Sequence, residues 1–285
     1  MGEQILSGIL YVVGTPIGNL GDFSQRAIDT LNSVDFIAAE DTRVTIKLLN
    51  KFNIKKPLIS YHEHSKSQRA DQIISKLLDG ENAAIVSDAG MPCISDPGEK
   101  LVDICIENNI DVKIVPGPTA AVSALCLSGL NTSRFAFYGF LSTNRKSRLD
   151  TLLEVKNLPL TLIFYEAPHK LISTLKDLLK HLGDRKITLV KELTKIHEDF
   201  QRTTISGALN FFDETGKSPK GEYVLIVDGA KATNNLDNSS TLTEAVDFAK
   251  NLVKEGFKPV DAAKQAAKIT NHKKNEIYSL LILEK

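Results

Sequence analysis

Three short segments rich in glycine, proline and small polar residues each follow an apolar run of the chain. Residues 14–22 read GTPIGNLGD, residues 87–98 read SDAGMPCISDPG, and residues 116–120 read PGPTA. Small residues let the backbone approach a ligand closely, so that its amides and carbonyls can bind. Loops at the carboxyl ends of strands in an open α/β sheet form such ligand crevices. We therefore expect the three segments to share one pocket for a small polar ligand.

The glycine spacing of the first segment differs from that of the common nucleotide-binding loops. Gly14, Gly18 and Gly21 are spaced as G-x3-G-x2-G, whereas dinucleotide-binding loops carry G-x-G-x-x-G. The chain also lacks the G-x4-G-K-[ST] sequence of P-loop nucleotide hydrolases. The sequence therefore argues against hydrolysis of ATP or GTP by a P-loop and makes a nicotinamide cofactor a weak hypothesis.

Two other segments concentrate charged and imidazole side chains. Residues 40–43, EDTR, directly follow a strand predicted over 34–39, and residues 62–64 read HEH. The EDTR segment is also typical of a helix N-terminus, in which Asp41 or Thr42 would cap the backbone. Residues two apart share a strand face, as metal ligands can, but no third ligand is evident. We therefore predict no metal site.

Apolar runs alternate with amphipathic patterns along the first half of the chain. Residues 66–79 place apolar side chains at i, i+3, i+4, i+7 and i+8, the repeat of an amphipathic helix. Strands that alternate with helices predict a mainly parallel sheet covered on both faces. The predicted strands here are 9–13, 34–39, 83–86 and 112–115, and the predicted helices are 24–31, 66–79 and one that ends near residue 108.

The same alternation restarts after residue 129 and stops at a polar stretch. Residues 230–240, AKATNNLDNSS, have the composition of a linker. The predicted strands of the second half are 135–140, 160–165, 187–191 and 223–227, with a basic helix over 144–155 and another around 171–179; helices follow at 242–254 and, as a pair, within 258–282.

The predicted fold class is therefore α/β. We expect two α/β domains with mainly parallel sheets and a cleft between them, plus a small C-terminal helical extension. The predicted boundaries are 1–128 and 129–230 for the two domains, 231–240 for the linker and 241–285 for the extension.

The composition is typical of a water-soluble globular protein. Its overall charge is balanced, so bulk charge would not hold such a protein on nucleic acid. The 285 residues are 42% hydrophobic and 25% charged, with 35 basic and 35 acidic side chains. Residues 142–202 carry 12 Lys/Arg against 8 Asp/Glu, which leaves a local basic excess. Three cysteines without C-x-x-C spacing favour a reducing, cytoplasmic location, and we expect no membrane span.

Nine motifs in order along the chain resemble those of one known family. They are VVGTPIGNLGD, AAEDTRVTIKLL, YHEHS, VSDAGMPCISDPG, VPGPTAAVSAL, FYGFL, FYEAPHKL, KELTKIHE and KGEYVLIV, and they cover residues 1 to about 230. Together they resemble the ribosomal RNA small subunit methyltransferase I family of the tetrapyrrole methylase superfamily, the class III S-adenosylmethionine-dependent methyltransferases. The helical tail is similar to that family's C-terminal helix-turn-helix extension.

This resemblance implies a function, a cofactor and partners. It implies that S-adenosylmethionine folds into the cleft between two α/β domains. It implies transfer of the methyl group to the 2'-hydroxyl of a cytidine in small-subunit (16S) rRNA, so the partner is the 30S ribosomal subunit. A homodimer in the cytoplasm is also implied.

The resemblance also assigns site residues. By position within the motifs, the cofactor-binding residues are Pro16, Ile17, Gly18, Asp88, Ala89, Gly90, Ile94, Thr119, Ala120, Tyr165 and Glu166. Many tetrapyrrole methylases carry Gly-Gly-Asp-Pro where this chain reads Asp-Ala-Gly-Met-Pro, which supports the RNA branch and leaves open which carboxylate contacts the cofactor.

A ribose 2'-hydroxyl is a weak acid, so a nearby base or cation would raise its nucleophilicity. The catalytic candidates are Asp41, Arg43, Glu63 and Glu166, with His62 as a further strand-end candidate. Positioning of the two reactants without any base is the alternative.

Two other functions stay open at this point. One is methylation of a tetrapyrrole or a similar small metabolite, and the other is an RNA-binding module with an inactive methylase domain. The EDTR and YHEHS segments and the helical tail favour the RNA enzyme over the metabolite enzyme, because a small substrate does not need them. The intact glycine-rich segments argue against the inactive module.

Overall fold

The computed structural model describes residues 7–62, 67–231, 241–270 and 272–283. Within these ranges the chain forms two five-stranded sheets, helices that pack on them, and three C-terminal helices. No described helix is both long and apolar enough to cross a membrane. The predicted linker lies outside the described residues, apart from residue 231.

The first sheet is parallel throughout and has the order β3-β2-β4-β1-β5. Its central strands therefore leave their carboxyl ends at the same edge, where the glycine-rich segments begin. The strands are β1 (Ile9–Val13), β2 (Phe36–Ala39), β3 (Leu58–Ser60), β4 (Ala83–Val86) and β5 (Asp111–Val115).

Alternate residues of the buried strands face two separate apolar cores, one on each side of this sheet. In β4, Ala83 and Ile85 join the core that includes Leu101, whereas Ala84 and Val86 join the opposite core around Leu31. Burial on both faces explains why these strands are continuous apolar runs without a polar alternation. The predicted strands 9–13 and 83–86 are confirmed to the residue, and β5 begins one residue early.

The second sheet is mixed and has the order β6-β7-β10-β8-β9. Only the β6–β7 pairing is parallel, and the other three pairings are antiparallel. The α/β class and the two-sheet architecture are confirmed, but parallel pairing dominates only in the first sheet. The strands are β6 (Phe135–Phe140), β7 (Thr161–Glu166), β8 (Lys186–Lys191), β9 (Asp199–Thr204) and β10 (Tyr223–Val227).

The antiparallel pairing of β8 with β9 follows from a short connection. Only residues 192–198 separate β8 from β9, and parallel neighbours need a crossover of about a dozen residues or more. The sequence DFQRTT of β9 is polar, because β9 is an edge strand with its side chains largely exposed. Sequence patterning therefore missed β9 and the helix after it, and it also missed the three-residue strand β3.

Helix boundaries follow identifiable caps. The Ser24 side chain accepts a hydrogen bond from the Ala27 amide at the start of α1, and Thr241 and Glu244 form a reciprocal capping box at α9. The helices are α1 (Gln25–Ser33), α2 (Thr42–Lys51), α3 (Ser67–Leu78), α4 (Glu99–Glu107), α5 (Ala120–Ser128), α6 (Arg145–Val155), α7 (Leu171–Leu182), α8 (Ile205–Thr215), α9 (Leu242–Lys254), α10 (Pro259–Ile269) and α11 (Lys274–Leu283).

Helix α5 joins the two halves of the chain. It follows the first sheet in sequence, yet Ala121, Ala124 and Leu125 pack against Ile163 and Val224 of the second sheet. The predicted domain boundary between residues 128 and 129 falls directly after α5. This helix therefore precedes the boundary in sequence but packs in an apolar core of the second sheet.

The C-terminal helices pack on α6. Leu149 of α6 is buried in the same core as Ala245, Ala263 and Ile277. The guanidinium of Arg145 lies 5.9 Å from the centroid of the Phe257 ring.

Further polar contacts join α6 to the same helices. Lys146 Nζ lies 3.3 Å from Asp261 Oδ1, and Gln265 donates to Asp150. Arg145 and Lys146 of α6 are therefore exposed side chains that also contact the C-terminal helices.

We expect Leu149→Ala to lower the free energy of unfolding by about 2–5 kcal/mol, the usual range for such a cavity. The reason is that Leu149 is 5% exposed and belongs to the core shared with the C-terminal helices. Urea unfolding followed by circular dichroism measures it. Leu283→Ala, at a side chain 79% exposed, is the matched control and should change stability by less than about 0.5 kcal/mol. Equal effects of the two variants would contradict this docking.

Candidate active site

Backbone hydrogen bonds join the first two glycine-rich segments. The Thr15 amide donates to the Gly90 carbonyl at 2.8 Å, and the Gly90 amide donates to the Thr15 carbonyl at 3.1 Å. The buried Thr15 hydroxyl also donates to the Ser87 carbonyl at 3.2 Å. These loops follow the neighbouring parallel strands β1 and β4, and the isolated antiparallel bridge between Thr15 and Gly90 joins them just beyond the carboxyl edge of the sheet.

The third glycine-rich segment meets the first at a contact that excludes side chains. A Cβ on Gly117 would lie 2.8 Å from the Cα and 2.9 Å from the carbonyl carbon of Gly14. A Cβ on Gly14 would lie 2.7 Å from the Cα of Gly117 and 2.6 Å from the Met91 sulfur. The predicted convergence of the three segments is thus confirmed, and glycine is required at two of its contact points.

A cavity of about 490 Å³ opens beside these loops and extends to the second sheet. Small residues from the first half line one side, and residues near β7, β8 and β10 line the other. The lining consists of Ile17, Ala89, Gly90, Met91, Ile94, Ser95, Asp96, Thr119, Ala120, Phe140, Tyr165, Glu166, Ala167, Pro168, His169, Val190, Leu193, Lys195, Glu222, Tyr223 and Val224.

Most of the residues predicted to bind the cofactor line this cavity, and three do not. Pro16, Gly18 and Asp88 are absent from the lining. A Cβ on Gly18 would lie 2.4 Å from Lys195 Cγ, so Gly18 permits close packing between the first loop and the loop after β8. Direct cofactor contact by these three residues stays a prediction. The predicted residues that the cavity brings together are Ile17, Ala89, Gly90, Ile94, Thr119, Ala120, Tyr165 and Glu166.

Tyr165 connects the end of β7 to the start of α5. Its hydroxyl oxygen accepts a hydrogen bond from the Ala121 amide at 3.2 Å. The ring makes edge contacts with Phe137 and Phe140, whose centroids lie 4.9 and 5.5 Å away. Burial raises the pKa of the Tyr165 hydroxyl above its usual value, so it is neutral at physiological pH.

Glu166 belongs to a hydrogen-bond network in which both of its carboxylate oxygens accept hydrogen bonds. Oε1 accepts from the Ala167 amide at 2.9 Å, and Oε2 accepts from the Thr174 hydroxyl. Thr174 in turn accepts from Arg148 at 2.9 Å, and Arg148 Nε lies 2.6 Å from Asp177. This geometry suits a residue that fixes the end of β7, while its predicted roles in catalysis and cofactor binding stay predictions.

Asp41 is the N-cap of α2 and lies outside the cavity lining. Its Oδ1 accepts from the Arg43 amide at 2.8 Å, and the Arg43 guanidinium pairs with the same carboxylate at 2.7 Å. These hydrogen bonds lower the pKa of Asp41 to about 2. The capping alternative is thus realised structurally, and the catalytic roles predicted for Asp41 and Arg43 stay predictions.

The same segment joins the carboxyl ends of β2 and β4. The Asp41 amide donates to Asp88 Oδ1 at 3.1 Å, and the Asp88 amide donates to Glu40 Oε2 at 3.2 Å. Burial, together with the negative charge of Asp41, raises the pKa of Asp88. The EDTR segment therefore supports the loop that carries Ala89 and Gly90 into the cavity. Of the remaining candidates, Glu63 lies outside the described residues.

Sequence reasoning missed Asp96, which lines the cavity two residues from the predicted Ile94. Burial raises the pKa of Asp96 to about 6, Glu40 and Asp88 raise it as well, and a hydrogen bond with Ser87 opposes them. Asp96 belongs to the motif SDPG, which the sequence analysis included in a glycine-rich segment. A proline-containing turn, however, gives no reason to single out its carboxylate as a site residue.

Other missed lining residues lie on the second sheet and near it. Val190, Tyr223 and Val224 reach the cavity because β8 and β10 pair antiparallel beside β7. That pairing is not readable from the strand sequences, so no local signal could have placed these residues in the site.

The geometry is accompanied by similarity to known proteins. Residues 9–208 match the family described as Tetrapyrrole (Corrin/Porphyrin) Methylases. A protein from Synechocystis named Ribosomal RNA small subunit methyltransferase I is 47% identical over 275 residues, which cover 96% of this chain and 97% of that protein. The chain belongs to the ribosomal RNA small subunit methyltransferase I family. It is thus a methyltransferase, as the sequence motifs predict.

Further relatives agree with this membership in the methyltransferase I family. The protein of the same name from Bacillus subtilis is 44% identical over 275 residues, with 95% of this chain and 93% of that protein covered. Among solved structures, uroporphyrin-III-C-methyltransferase from Thermus thermophilus superposes with a TM-score of 0.53 at 18% identity, covering 77% of this chain and 94% of that one. At that identity the superposition shows a shared fold alone.

We expect Gly117→Ala to lower both stability and the affinity for S-adenosylmethionine, the ligand expected from the sequence. The added methyl group would meet only backbone atoms of Gly14, so the two loops must move apart, at a cost of about 1–3 kcal/mol. Thermal unfolding and isothermal calorimetry measure the two effects. Gly21→Ala is the matched control, because its Cβ would meet only the Asn19 side chain, at 3.1 Å. Unchanged affinity in Gly117→Ala would contradict this account of the loop contact.

Two substitutions at Asp41 separate capping from catalysis. Asp41→Ala removes the acceptor for the Arg43 amide and should lower Tm, whereas Asp41→Ser keeps a capping oxygen and should restore it. A carboxyl with a lowered pKa stabilises the fold above its ordinary pKa and loses that effect only as the pH falls toward about 2. The Tm difference should therefore be constant from pH 5 to 9. A Ser variant with normal Tm and no activity would support catalysis by Asp41 instead.

Proposed function

We propose that the chain transfers the methyl group of S-adenosylmethionine to the 2'-hydroxyl of a cytidine in small-subunit rRNA. The observation that carries the proposal is the cavity at the carboxyl edge of the first sheet, in a chain 44–47% identical to rRNA methyltransferases over nearly its whole length. The alternative substrate class is a tetrapyrrole or a similar small metabolite.

The residues of the cavity fit S-adenosylmethionine. Gly90 has φ +86°, and a Cβ there would lie 3.3 Å from Ile17 Cγ2, so glycine preserves both the loop conformation and the space. Ala89, Thr119 and Ala120 have small side chains that project little into the cavity, while Tyr165 and Ile94 offer apolar surface. A mixture of small and apolar lining residues with a few polar groups is typical of cofactor sites.

S-adenosylmethionine, when bound, supplies a methyl group on a positively charged sulfur that leaves without needing a proton. The chain then has two tasks, which are to align the acceptor hydroxyl with that carbon and to exclude water. Alignment alone is worth up to about 7–11 kcal/mol in well-oriented systems. Loops fixed by backbone hydrogen bonds and by the Gly14–Gly117 contact suit this positioning role.

The relatives favour an RNA substrate over a metabolite. The proteins that align with almost all of this chain are named for ribosomal RNA. The uroporphyrin enzyme is only 18% identical, which carries no information on the substrate. As parts of the same proposal, the chain acts on the 30S subunit in the cytoplasm, forms a homodimer, and is divided into domains as the sequence predicts.

Methyl transfer from labelled S-adenosylmethionine to 30S subunits and to uroporphyrinogen tests the proposal directly. We expect label in 30S rRNA only, and nuclease mapping should find one 2'-O-methylcytidine that is missing from cells without the protein. Label in uroporphyrinogen alone would overturn the RNA assignment.

Two variants link that activity to the cavity. Ala120→Leu should abolish cofactor binding in calorimetry, because Ala120 lines the cavity and the longer leucine side chain would project into the space that the cofactor needs. Val122→Leu is the control, since Val122 lies two residues along the same helix and is 48% exposed outside the lining. Normal S-adenosylmethionine binding by Ala120→Leu would contradict the placement of the cofactor in this cavity.

A further inference from the structure

A chain of hydrogen bonds runs from α6 to the wall of the cavity. The Arg148 guanidinium of α6 donates to the Thr174 hydroxyl of α7 at 2.9 Å, and Thr174 donates in turn to Oε2 of Glu166 at the end of β7. Thr174 is 0% exposed and Glu166 is 3% exposed, so both depend on partners within the protein. Because Glu166 lines the cavity, these bonds connect the site to a helix that contributes no lining residue of its own.

The hydrogen bonds of this chain have a fixed direction. A guanidinium has only donors and an ionised carboxylate only acceptors, whereas a threonine hydroxyl has one hydrogen to donate and can also accept. Because Arg148 donates to the hydroxyl oxygen of Thr174, the single hydrogen of that hydroxyl is directed to Glu166. The Ala167 amide donates to the other carboxylate oxygen at 2.9 Å. Glu166 is therefore held as a hydrogen-bond acceptor at the cavity wall.

The contacts of residue 148 require an arginine. Its Nε lies 2.6 Å from Oδ2 of Asp177, while a second nitrogen of the same guanidinium donates to Thr174. Both partners lie on α7, three residues apart, and one planar guanidinium reaches both, whereas lysine offers a single nitrogen on a flexible stem. The Arg148 side chain is 15% exposed, which distinguishes it from Arg145, an exposed residue of the same helix that contacts Phe257.

The Glu166 carboxylate has no ion-pair partner in the part of the chain that the structure describes. Lys195 lines the same cavity, but it is held by Glu192 at 3.0 Å and by Glu222 at 2.8 Å. An ionised carboxylate that is buried without a cation is costly, and a positively charged group of a ligand would offset that cost. S-adenosylmethionine carries two such groups, its α-ammonium and its sulfonium.

We propose that Arg148 is a positioning residue of the site, which acts through Thr174 to present the Glu166 carboxylate to a positively charged group of the cofactor. This inference rests on the part of the proposed function that places S-adenosylmethionine in the cavity. Arg148 does not itself contact the cofactor. Its contribution is to fix the carboxylate before the cofactor arrives, so that binding does not have to order this side chain.

Calorimetry with S-adenosylmethionine on the full chain tests the role of Arg148. R148M removes both donors and should raise the Kd roughly 10–100-fold, the loss expected for a hydrogen bond to a charged group. R148K should give a Kd between those of wild type and R148M. R145M is the matched control, because it is the same substitution three residues earlier on α6, at a side chain that contacts Phe257 and not α7. It should leave the Kd unchanged.

Two substitutions at Thr174 test the middle of the chain. T174V removes the hydroxyl at nearly unchanged volume, so it should weaken binding about as much as R148M does. T174S keeps a hydroxyl that can accept from Arg148 and donate to Glu166, and it should bind S-adenosylmethionine nearly as wild type does. Equal Kd values for T174V and T174S would contradict transmission through this hydroxyl and would overturn the proposal.

A double-mutant cycle distinguishes positioning from a general loss of stability. If Arg148 acts through Glu166, R148M should have little effect on the Kd once E166Q has removed the carboxylate, so the two substitutions should be strongly non-additive. Independent effects, which multiply in full, would overturn the proposal. Circular dichroism at the temperature of the calorimetry establishes that each variant is folded. T174V replaces R148M in the same cycle if R148M does not fold.

S-adenosylhomocysteine identifies the group of the cofactor that Glu166 faces, because it keeps the ammonium while its sulfur is neutral. Equal weakening of both ligands by R148M assigns the ammonium, and weakening of S-adenosylmethionine alone assigns the sulfonium. Either result supports the proposal. Unchanged Kd values for both ligands in folded R148M and T174V would overturn it.

Failure of this inference is distinguishable from failure of the proposed function. A wild-type chain that does not bind S-adenosylmethionine overturns both. Methylation of uroporphyrinogen in place of 30S subunits overturns the RNA assignment, while a raised Kd in R148M still supports the role of Arg148. Normal methylation of 30S subunits by wild type, together with an unchanged Kd in R148M, overturns the role of Arg148 alone.

Discussion

The site depends on the close approach of two backbone segments at Gly14 and Gly117. No side chain fits between them, and the Thr15–Gly90 backbone pairing holds a third segment against the same point. Loops without regular structure usually have many conformations available. Here hydrogen bonds to neighbouring strand ends and contact between glycines leave one arrangement, so small residues can form a defined cavity wall. The wall is preorganised by the sheet edge and needs no large side chains of its own.

The position of the cavity wall that the second sheet forms depends on α5, which connects the two halves of the chain. Its first turn carries Thr119 and Ala120 to the cavity, while its other residues pack on the second sheet. The hydrogen bond from the Ala121 amide to the Tyr165 hydroxyl ties that first turn to β7. One helix thus sets the separation of the two walls. Substitutions on its buried face would change the width of the cavity without touching its lining.

The sequence predicted what depends on local pattern. The buried strands of the first sheet and the convergence of three glycine-rich segments follow from apolar runs and turn residues. Eight of the cavity residues follow from the resemblance of the motifs to a known family. Antiparallel pairing in the second sheet did not, because it depends on contacts between distant strands, and β9 is too polar to stand out. For the same reason Val190 and Tyr223 were missed. Asp96 was missed because its place in the cavity lining depends on the folded turn and not on a recognisable local pattern.

The docking of the C-terminal helices on α6 has an evolutionary consequence. Arg145, Lys146 and Asp150 on α6 face Phe257, Asp261 and Gln265, so each side of the contact constrains the other. Within a lineage these positions should change as pairs, and a tail transplanted from a distant homologue would bring side chains that do not match. Functional chimaeras would have to exchange α6 together with the C-terminal helices. The residues that evolve together therefore lie on both sides of the predicted linker.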